Sequence, residues 1–185
     1  MQTEFIIAGF GGQGVLFAGQ LLSYAGTDAG LNVTWIPSYG PEMRGGTANC
    51  TVIIDEDEIG SPLVKHPGAC IVMNLPSLDK YEPMVKPGGV LVVNASMVNR
   101  EPRRNDITWV MVPANEIAEG LGDRRMANMV LLGALLANLP VLPVEAIEAA
   151  LAAHLPARHQ RLLPLNYQAI RKGAEFSALG MKTAG

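Results

Sequence analysis

An apolar, β-branched run that stops abruptly on glycines constrains this chain more than any other feature. Glu4-Phe5-Ile6-Ile7-Ala8 leads into Gly9-Phe10-Gly11-Gly12-Gln13-Gly14, and a helix-like stretch from Val15 to Ala25 follows without a break. Strand, tight turn and helix in that order open a βαβ unit and point to a layered α/β domain. Gly9, Gly11 and Gly14 fit the spacing G-x-G-x-x-G. Such glycines allow a sharp turn, close approach of a ligand to backbone, and close packing of helix on strand. The unpaired N–H groups at the helix start would favour an anion above the turn.

A dinucleotide site also needs an acidic residue roughly 20 positions further on, at the end of the second strand, to hold a ribose. Here the second strand, Asn32 to Ile36, runs into Pro37-Ser38-Tyr39-Gly40, and the nearest acid, Glu42, lies beyond Pro41 in a loop. Dinucleotide binding is therefore disfavoured. The glycines either shape a strand–helix turn and nothing more, or they meet an anion or a partner.

A chain of 185 residues suits one domain with a sizeable core. Hydrophobic residues make up 49% against 17% charged, which implies many buried helices or apolar surface. A net charge of −3 argues against nucleic acid as the main partner. No apolar run reaches the roughly 18 residues of a membrane span, and no basic segment precedes an apolar one at the start, so neither a membrane anchor nor a signal peptide is expected. Cys50 and Cys70 stand far apart, without metal-ligand spacing, and read as buried small hydrophobes of a cytoplasmic protein.

Strand one is expected over Glu4 to Ala8, helix one over Gly14 to Gly30, and strand two over Asn32 to Ile36. Pro37 to Thr47 reads as irregular, because prolines and glycines interrupt it. Ala48 to Ile54 reads as a strand, Asp55-Glu56-Asp57 as a polar turn, and Glu58 to Ser61 as a short returning strand. That hairpin makes the sheet mixed. Ala69 to Met73, Gly89 to Val93 and Thr108 to Val112 are continuous apolar runs that suit strands buried on both faces. Pro76 to Val85 is a short helix candidate, and Asn115 a helix N-cap. Arg125 to Leu139 is apolar nearly all round, which suits a core helix, or one that also meets another subunit. Pro143 to Ala153 and Pro164 to Phe176 are further helices. One domain over residues 1–178 with a frayed tail, 179–185, is the expected organisation.

No catalytic constellation emerges, and no metal site. There is no G-x-S-x-G elbow. His66, His154 and His159 lack ligand spacing, and Asp55 to Glu58 read as a solvated turn. Arg100, Arg103 and Arg104, like Arg158, His159 and Arg161, read as solvated basic loops. In an open α/β sheet, ligands meet the carboxyl ends of the strands. That rim should hold Gly9 to Gly14, Ser38 to Gly46, Asn74, Asn94 and Asn115. Glu42 and Arg44 could brace the loop as a pair, or Arg44 could fork onto a carboxylate or phosphate.

Gly9-Phe10-Gly11-Gly12-Gln13-Gly14, followed by Ser38-Tyr39-Gly40-Pro41-Glu42-Met43-Arg44-Gly45-Gly46, resembles the gamma subunit of 2-oxoacid:ferredoxin oxidoreductases. The likeness covers nearly the whole length, and its second block is the more specific. It implies a three-layer, Rossmann-like α/β domain with a mostly parallel, mixed sheet flanked by helices. It also implies an accessory role in an enzyme that converts a 2-oxoacid and coenzyme A to acyl-CoA, CO2 and reduced ferredoxin. Thiamine diphosphate and iron–sulfur clusters would sit on the alpha and beta subunits or a ferredoxin-like delta subunit, with none bound by this chain alone. The residues expected to touch cofactor or partner are Gly9, Gly11, Gly12, Gly14, Ser38, Tyr39, Gly40, Glu42, Arg44, Gly45, Gly46, Asn74 and Asn94. Apolar surface left uncovered should make the isolated chain self-associate.

Overall fold

The computed structural model describes residues 2–40 and 46–180. Its strands are β1 (Thr3–Phe10), β2 (Asn32–Tyr39), β3 (Thr47–Asp55), β4 (Ala69–Val72), β5 (Val90–Asn94) and β6 (Thr108–Val112). Among the described residues they form one sheet in the order β2-β3-β1-β4-β5-β6. β1, β4, β5 and β6 run parallel, while β3 is antiparallel to both of its neighbours. The helices are α1 (Val15–Asp28), α2 (Leu75–Tyr81), α3 (Ala114–Gly120), α4 (Ala127–Asn138), α5 (Val144–His154) and α6 (Leu163–Gly180).

The layers follow from the alternation of side chains along each strand. Phe5, Ile7, Val52, Ile54, Ile71 and Val92 point to one face, where α1, α3, α4, α5 and α6 bury them. Ile6, Ala8, Cys70, Val72, Leu91 and Val93 point to the other, under Leu78 and Tyr81 of α2. The expected three-layer mixed sheet is therefore present, with one thick layer and one thin one. Both faces of β4 and β5 are covered, as their unbroken apolar runs require. β6 departs from that expectation: it is an edge strand, and Thr108, Trp109 and Met111 are only partly covered.

The sheet is mixed for a different reason from the one the sequence suggests. Glu58 to Ser61 forms no strand, and the residues after Asp57 contain Gly60 and Pro62, which suit a ladder badly. The antiparallel partner of β3 is β2, which runs on through Pro37 and Ser38 to Tyr39, into the stretch expected to be irregular. Pro37 is tolerated because β2 lies at the sheet edge, where a missing N–H leaves no neighbouring strand unpaired.

Three helix boundaries also move. α3 begins at Ala114, and Asn115 lies inside it rather than capping it. Arg124 to Met126 form a short 3-10 turn capped by Asp123, whose carboxylate accepts from the Arg125 N–H, so α4 starts only at Ala127. α6 extends to Gly180, past the expected domain end, and the rest of the expected tail lies outside the described residues.

α4 is apolar on all sides because it is enclosed. Every residue from Asn128 to Leu136 is buried, and α6 lies across it. The two helices touch backbone to backbone. A Cβ on Gly133 would meet the carbonyl of Ile170, and one on Gly173 would meet the carbonyl of Val130. α4 is thus an internal core helix, and it cannot be the uncovered surface that self-association would use.

Candidate functional site at the carboxyl rim of the sheet

The parallel register puts Ala8, Val72, Val93 and Met111 level, so β1, β4, β5 and β6 end along one edge. β2 ends and β3 begins on the same edge, with Phe10 opposite Thr47 and Tyr39 opposite Ala48. Gly9 to Gly14, Ser38, Tyr39, Gly40, Gly46, Asn74, Asn94 and Asn115 therefore share this rim. Glu42, Arg44 and Gly45 lie outside the described residues.

The glycine turn is filled by its own glutamine. Gln13 Oε1 accepts from the Phe10 N–H at 2.6 Å, and Gln13 Nε2 donates to the Met73 carbonyl at 3.3 Å. A Cβ on Gly9 would sit 2.6 Å from Gln13 Oε1 and 2.9 Å from Met73 Cβ, so Gly9 makes room for that side chain. Gly14 has φ +75°, and a Cβ there would collide with the amide of Asn128, whose Nδ2 donates to the Gly14 carbonyl at 3.1 Å. Two of the three motif glycines thus have packing reasons, and neither needs a ligand. Gly12, at φ +90°, has open space beside it. The Gly11 N–H donates to the Gly46 carbonyl at 2.9 Å, and Gly40 N–H to the Thr47 carbonyl at 2.7 Å. The two glycine-rich blocks are consequently tied to each other across the rim.

The asparagines brace the strand ends. Asn74 is buried, and its Oδ1 accepts from the Ser77 N–H at 2.8 Å to cap α2, leaving its Nδ2 without a partner. Asn94 Oδ1 accepts from the Ser96 N–H, and its Nδ2 donates to Asn115 Oδ1 at 3.2 Å. The Asn115 N–H in turn donates to Ser96 Oγ, and that hydroxyl donates to Glu116, whose carboxyl is held below its ordinary range by it.

Between the glycine turn and the ends of β4 and β5 lies a cleft of about 300 Å³, lined by Gly12, Gln13, Asn94, Asn115, Arg124 and Arg125 among others. Arg125 is forked onto Asp123 at 2.7 Å, and Arg124 sits 3.5 Å from Glu119. No motif in the sequence singles out this arginine pair. The signal available was its place, two adjacent cations directly before a buried apolar helix. The cleft can hold an anion between guanidinium groups and backbone. It offers no nucleophile with a base beside it.

The other candidates resolve into structure. Glu82 is buried and accepts from the Arg100 guanidinium at 3.0 Å, from the Arg104 N–H at 3.2 Å, and from the Arg103 N–H. Arg100, also 2.6 Å from Asp79, is held above its ordinary pKa by Asp79 first and then by Glu82, against desolvation. The loop expected to be a solvated basic face is therefore clamped through its arginines. His154 pairs with Asp28 at 2.9 Å and stacks on Tyr24, binding α5 to α1. Cys50 and Cys70 are fully buried. Burial pushes the Cys50 thiol up to about 12, and Cys70 further. Among the described residues, no group of three or more His, Cys, Asp or Glu could hold a metal ion, and no helix is long and apolar enough to cross a membrane.

Fold and rim together define a Rossmann-like α/β unit whose glycine motif is braced internally. The chain belongs to the pyruvate ferredoxin/flavodoxin oxidoreductase family, whose model matches residues 4–176. It is 36% identical over 172 residues to the ketoisovalerate oxidoreductase subunit VorA of Methanothermobacter thermautotrophicus, covering 92% of this chain and 35% of that one. It is 35% identical over 189 residues to the 2-oxoglutarate synthase subunit KorC of Methanothermobacter marburgensis, covering 98% of this chain and 100% of that one. The crystal structure of a keto/oxoacid ferredoxin oxidoreductase gamma subunit from Geobacter sulfurreducens superposes with a TM-score of 0.85 at 29% identity, over 98% of this chain and 99% of that one. The chain thus spans about a third of the length of the ketoisovalerate subunits it matches, and all of the 2-oxoglutarate synthase subunit.

Proposed function

We propose that this chain is the accessory gamma subunit of a multi-subunit, thiamine diphosphate-dependent 2-oxoacid:ferredoxin oxidoreductase. The complete enzyme would convert a 2-oxoacid and coenzyme A to acyl-CoA and CO2, and pass electrons to ferredoxin. Thiamine diphosphate and the iron–sulfur clusters belong, in this reading, to alpha and beta subunits and a delta subunit of ferredoxin type, in the cytoplasm. Residues 1–178 act as one gamma-subunit domain.

The observation that carries the reading is the internally braced glycine turn. Gln13 fills the place where a dinucleotide pyrophosphate would approach backbone, which counts against a stand-alone nucleotide-binding enzyme. The full-length likeness to a separately encoded 2-oxoglutarate synthase subunit supports a part of an assembly. The rim glycines, Ser38, Tyr39, Glu42, Arg44, Asn74 and Asn94 are proposed to shape the face turned to partner subunits or co-substrate. The cleft beside Arg124 and Arg125 suits the phosphates of coenzyme A.

Purification through a tag on this chain, under anaerobic conditions from its own cells, tests the reading. The expected result is co-purification of companion subunits with a brown iron–sulfur chromophore and turnover of one member of a panel of 2-oxoacids. A chain recovered alone from cells making all the subunits would refute it. Arg44→Ala is expected to lower complex yield or coenzyme A-dependent turnover while the melting of the lone chain barely changes. An early-melting lone chain whose complex turns over normally would make Arg44 a brace instead.

A further inference from the structure

Directly before α4 the chain turns around Asp123. Gly122 has φ +107°, a conformation that favours glycine, and its N–H donates to the Glu119 carbonyl at 2.9 Å. The Asp123 N–H donates back to the Ala118 carbonyl at 3.1 Å, which fixes the residue against the end of α3. Asp123 Oδ1 then accepts from the Arg125 N–H at 2.9 Å and caps the 3-10 turn. The same carboxylate grips the Arg125 side chain from the side. Nε donates to Oδ1 at 3.0 Å and to Oδ2 at 3.1 Å, and Nη2 donates to Oδ2 at 2.7 Å. A guanidinium has five N–H donors. This fork occupies the Nε edge and leaves the Nη1–Nη2 edge for another acceptor. The Asp123 side chain is 19% exposed and that of Arg125 79%. A well-covered carboxylate thus restrains an arginine that solvent would leave free to sample many rotamers. Arg124 is held less firmly, since 3.5 Å to Glu119 is too long for a good hydrogen bond.

We propose that Asp123 is a positioning residue for anion binding, which holds the Arg125 guanidinium at the cleft beside Gly12 and Gln13 with one donor edge free for a phosphate. The inference rests on the reading of that cleft as the phosphate site of coenzyme A, and names the residue that prepares it. Asp123 acts on an incoming phosphate in two opposed ways. Its charge repels the anion. Its fork keeps a long side chain ordered, so that binding does not have to supply that ordering. The repulsion crosses exposed groups and is screened over about 8 Å at physiological salt, while the ordering is not screened. Positioning is therefore the larger effect, and the carboxylate raises anion affinity in spite of its sign. The base of the fork is firm as well, because Met126 is buried and α4 behind it is enclosed. Asparagine at 123 is the informative change. It keeps an oxygen for the Arg125 N–H, and with it the cap, but loses the charge and one of the two acceptors that grip the guanidinium.

The test compares wild type, Asp123→Asn, Arg125→Ala and the double variant in the assembled complex at physiological salt. It reads KM for coenzyme A and, independently of turnover, the binding of coenzyme A by calorimetry. Arg125→Ala should weaken binding roughly tenfold, as for a lost charge-assisted contact. Asp123→Asn should weaken it roughly fivefold and leave kcat unchanged. In the Arg125→Ala background the same Asp123→Asn change should strengthen binding, because only the repulsion is left to remove. A structural effect of Asp123 would not reverse sign in that way. Asp123→Ser, which caps but cannot reach the guanidinium, should weaken binding at least as much as Asp123→Asn, and it serves if that variant melts early. If Arg125→Ala weakens binding while Asp123→Asn leaves it unchanged or strengthens it in the wild-type background, the positioning role is wrong and the phosphate reading of the cleft stands. If Arg125→Ala changes neither KM nor binding, the phosphate reading falls and takes this proposal with it.

Discussion

Gly12 and Gly14 sit two residues apart in one turn, both at positive φ, yet they face different constraints. Alanine at Gly12 meets open space and adds only backbone strain, about 1 kcal/mol. Alanine at Gly14 adds a clash with the Asn128 amide and disturbs its hydrogen bond to the turn, so about 2 to 4 kcal/mol should be lost. Urea unfolding of the two variants checks the difference; equal midpoints would remove the packing account of Gly14. The cysteines carry a second prediction. Their thiols are buried and held protonated by desolvation, so an aromatic disulfide reagent at pH 8 should label neither Cys50 nor Cys70 until the chain unfolds. Rapid labelling of the native chain would contradict that burial.

At the scale of elements, the sequence reveals what periodicity and glycine placement encode. The opening strand–turn–helix, the three later strands and the enclosed α4 all follow from apolar runs read against length. What it conceals is pairing. Asp55 to Asp57 look like a hairpin turn, but turn chemistry says nothing of which strand has a free edge, and β3 pairs with β2 and β1. Asn115 has the chemistry of a cap, but Asn94 and Ser96, distant in sequence, claim its side chain and N–H. The α4–α6 crossing is equally hidden, since Gly133 and Gly173 matter only for the carbonyls facing them. Alanine at either should force the helices apart and lower stability by about 3 kcal/mol or more, read from denaturant midpoints. A change under 1 kcal/mol would show that the crossing is loose. Glu82→Gln should lower it by about 2 to 4 kcal/mol, because a buried carboxylate holding Arg100 and two backbone N–H groups loses its charge. Wild-type stability in that variant would mean the clamp on the 100–104 loop carries no energy.

Over the whole molecule, the rim was legible as a place because strand direction follows from the βα order, and the glycine blocks mark its two sides. Its internal logic was not legible. Gln13, read only as a spacer in the motif, is the residue that fills the turn, and Arg124 and Arg125 enter the cleft through a helix start that sequence placed at the wrong residue. A braced turn, buried thiols and a cleft lined by Arg124 and Arg125 fit the proposed accessory role, in which the bond-making groups would lie on partner subunits. The most direct measurement is coenzyme A-dependent reduction of ferredoxin by the purified companion subunits with their 2-oxoacid, with and without this chain. The account predicts no turnover by this chain alone, and turnover by the companions that rises sharply when it is added in stoichiometric amount. Turnover by the lone chain, or companions equally active without it, would contradict it.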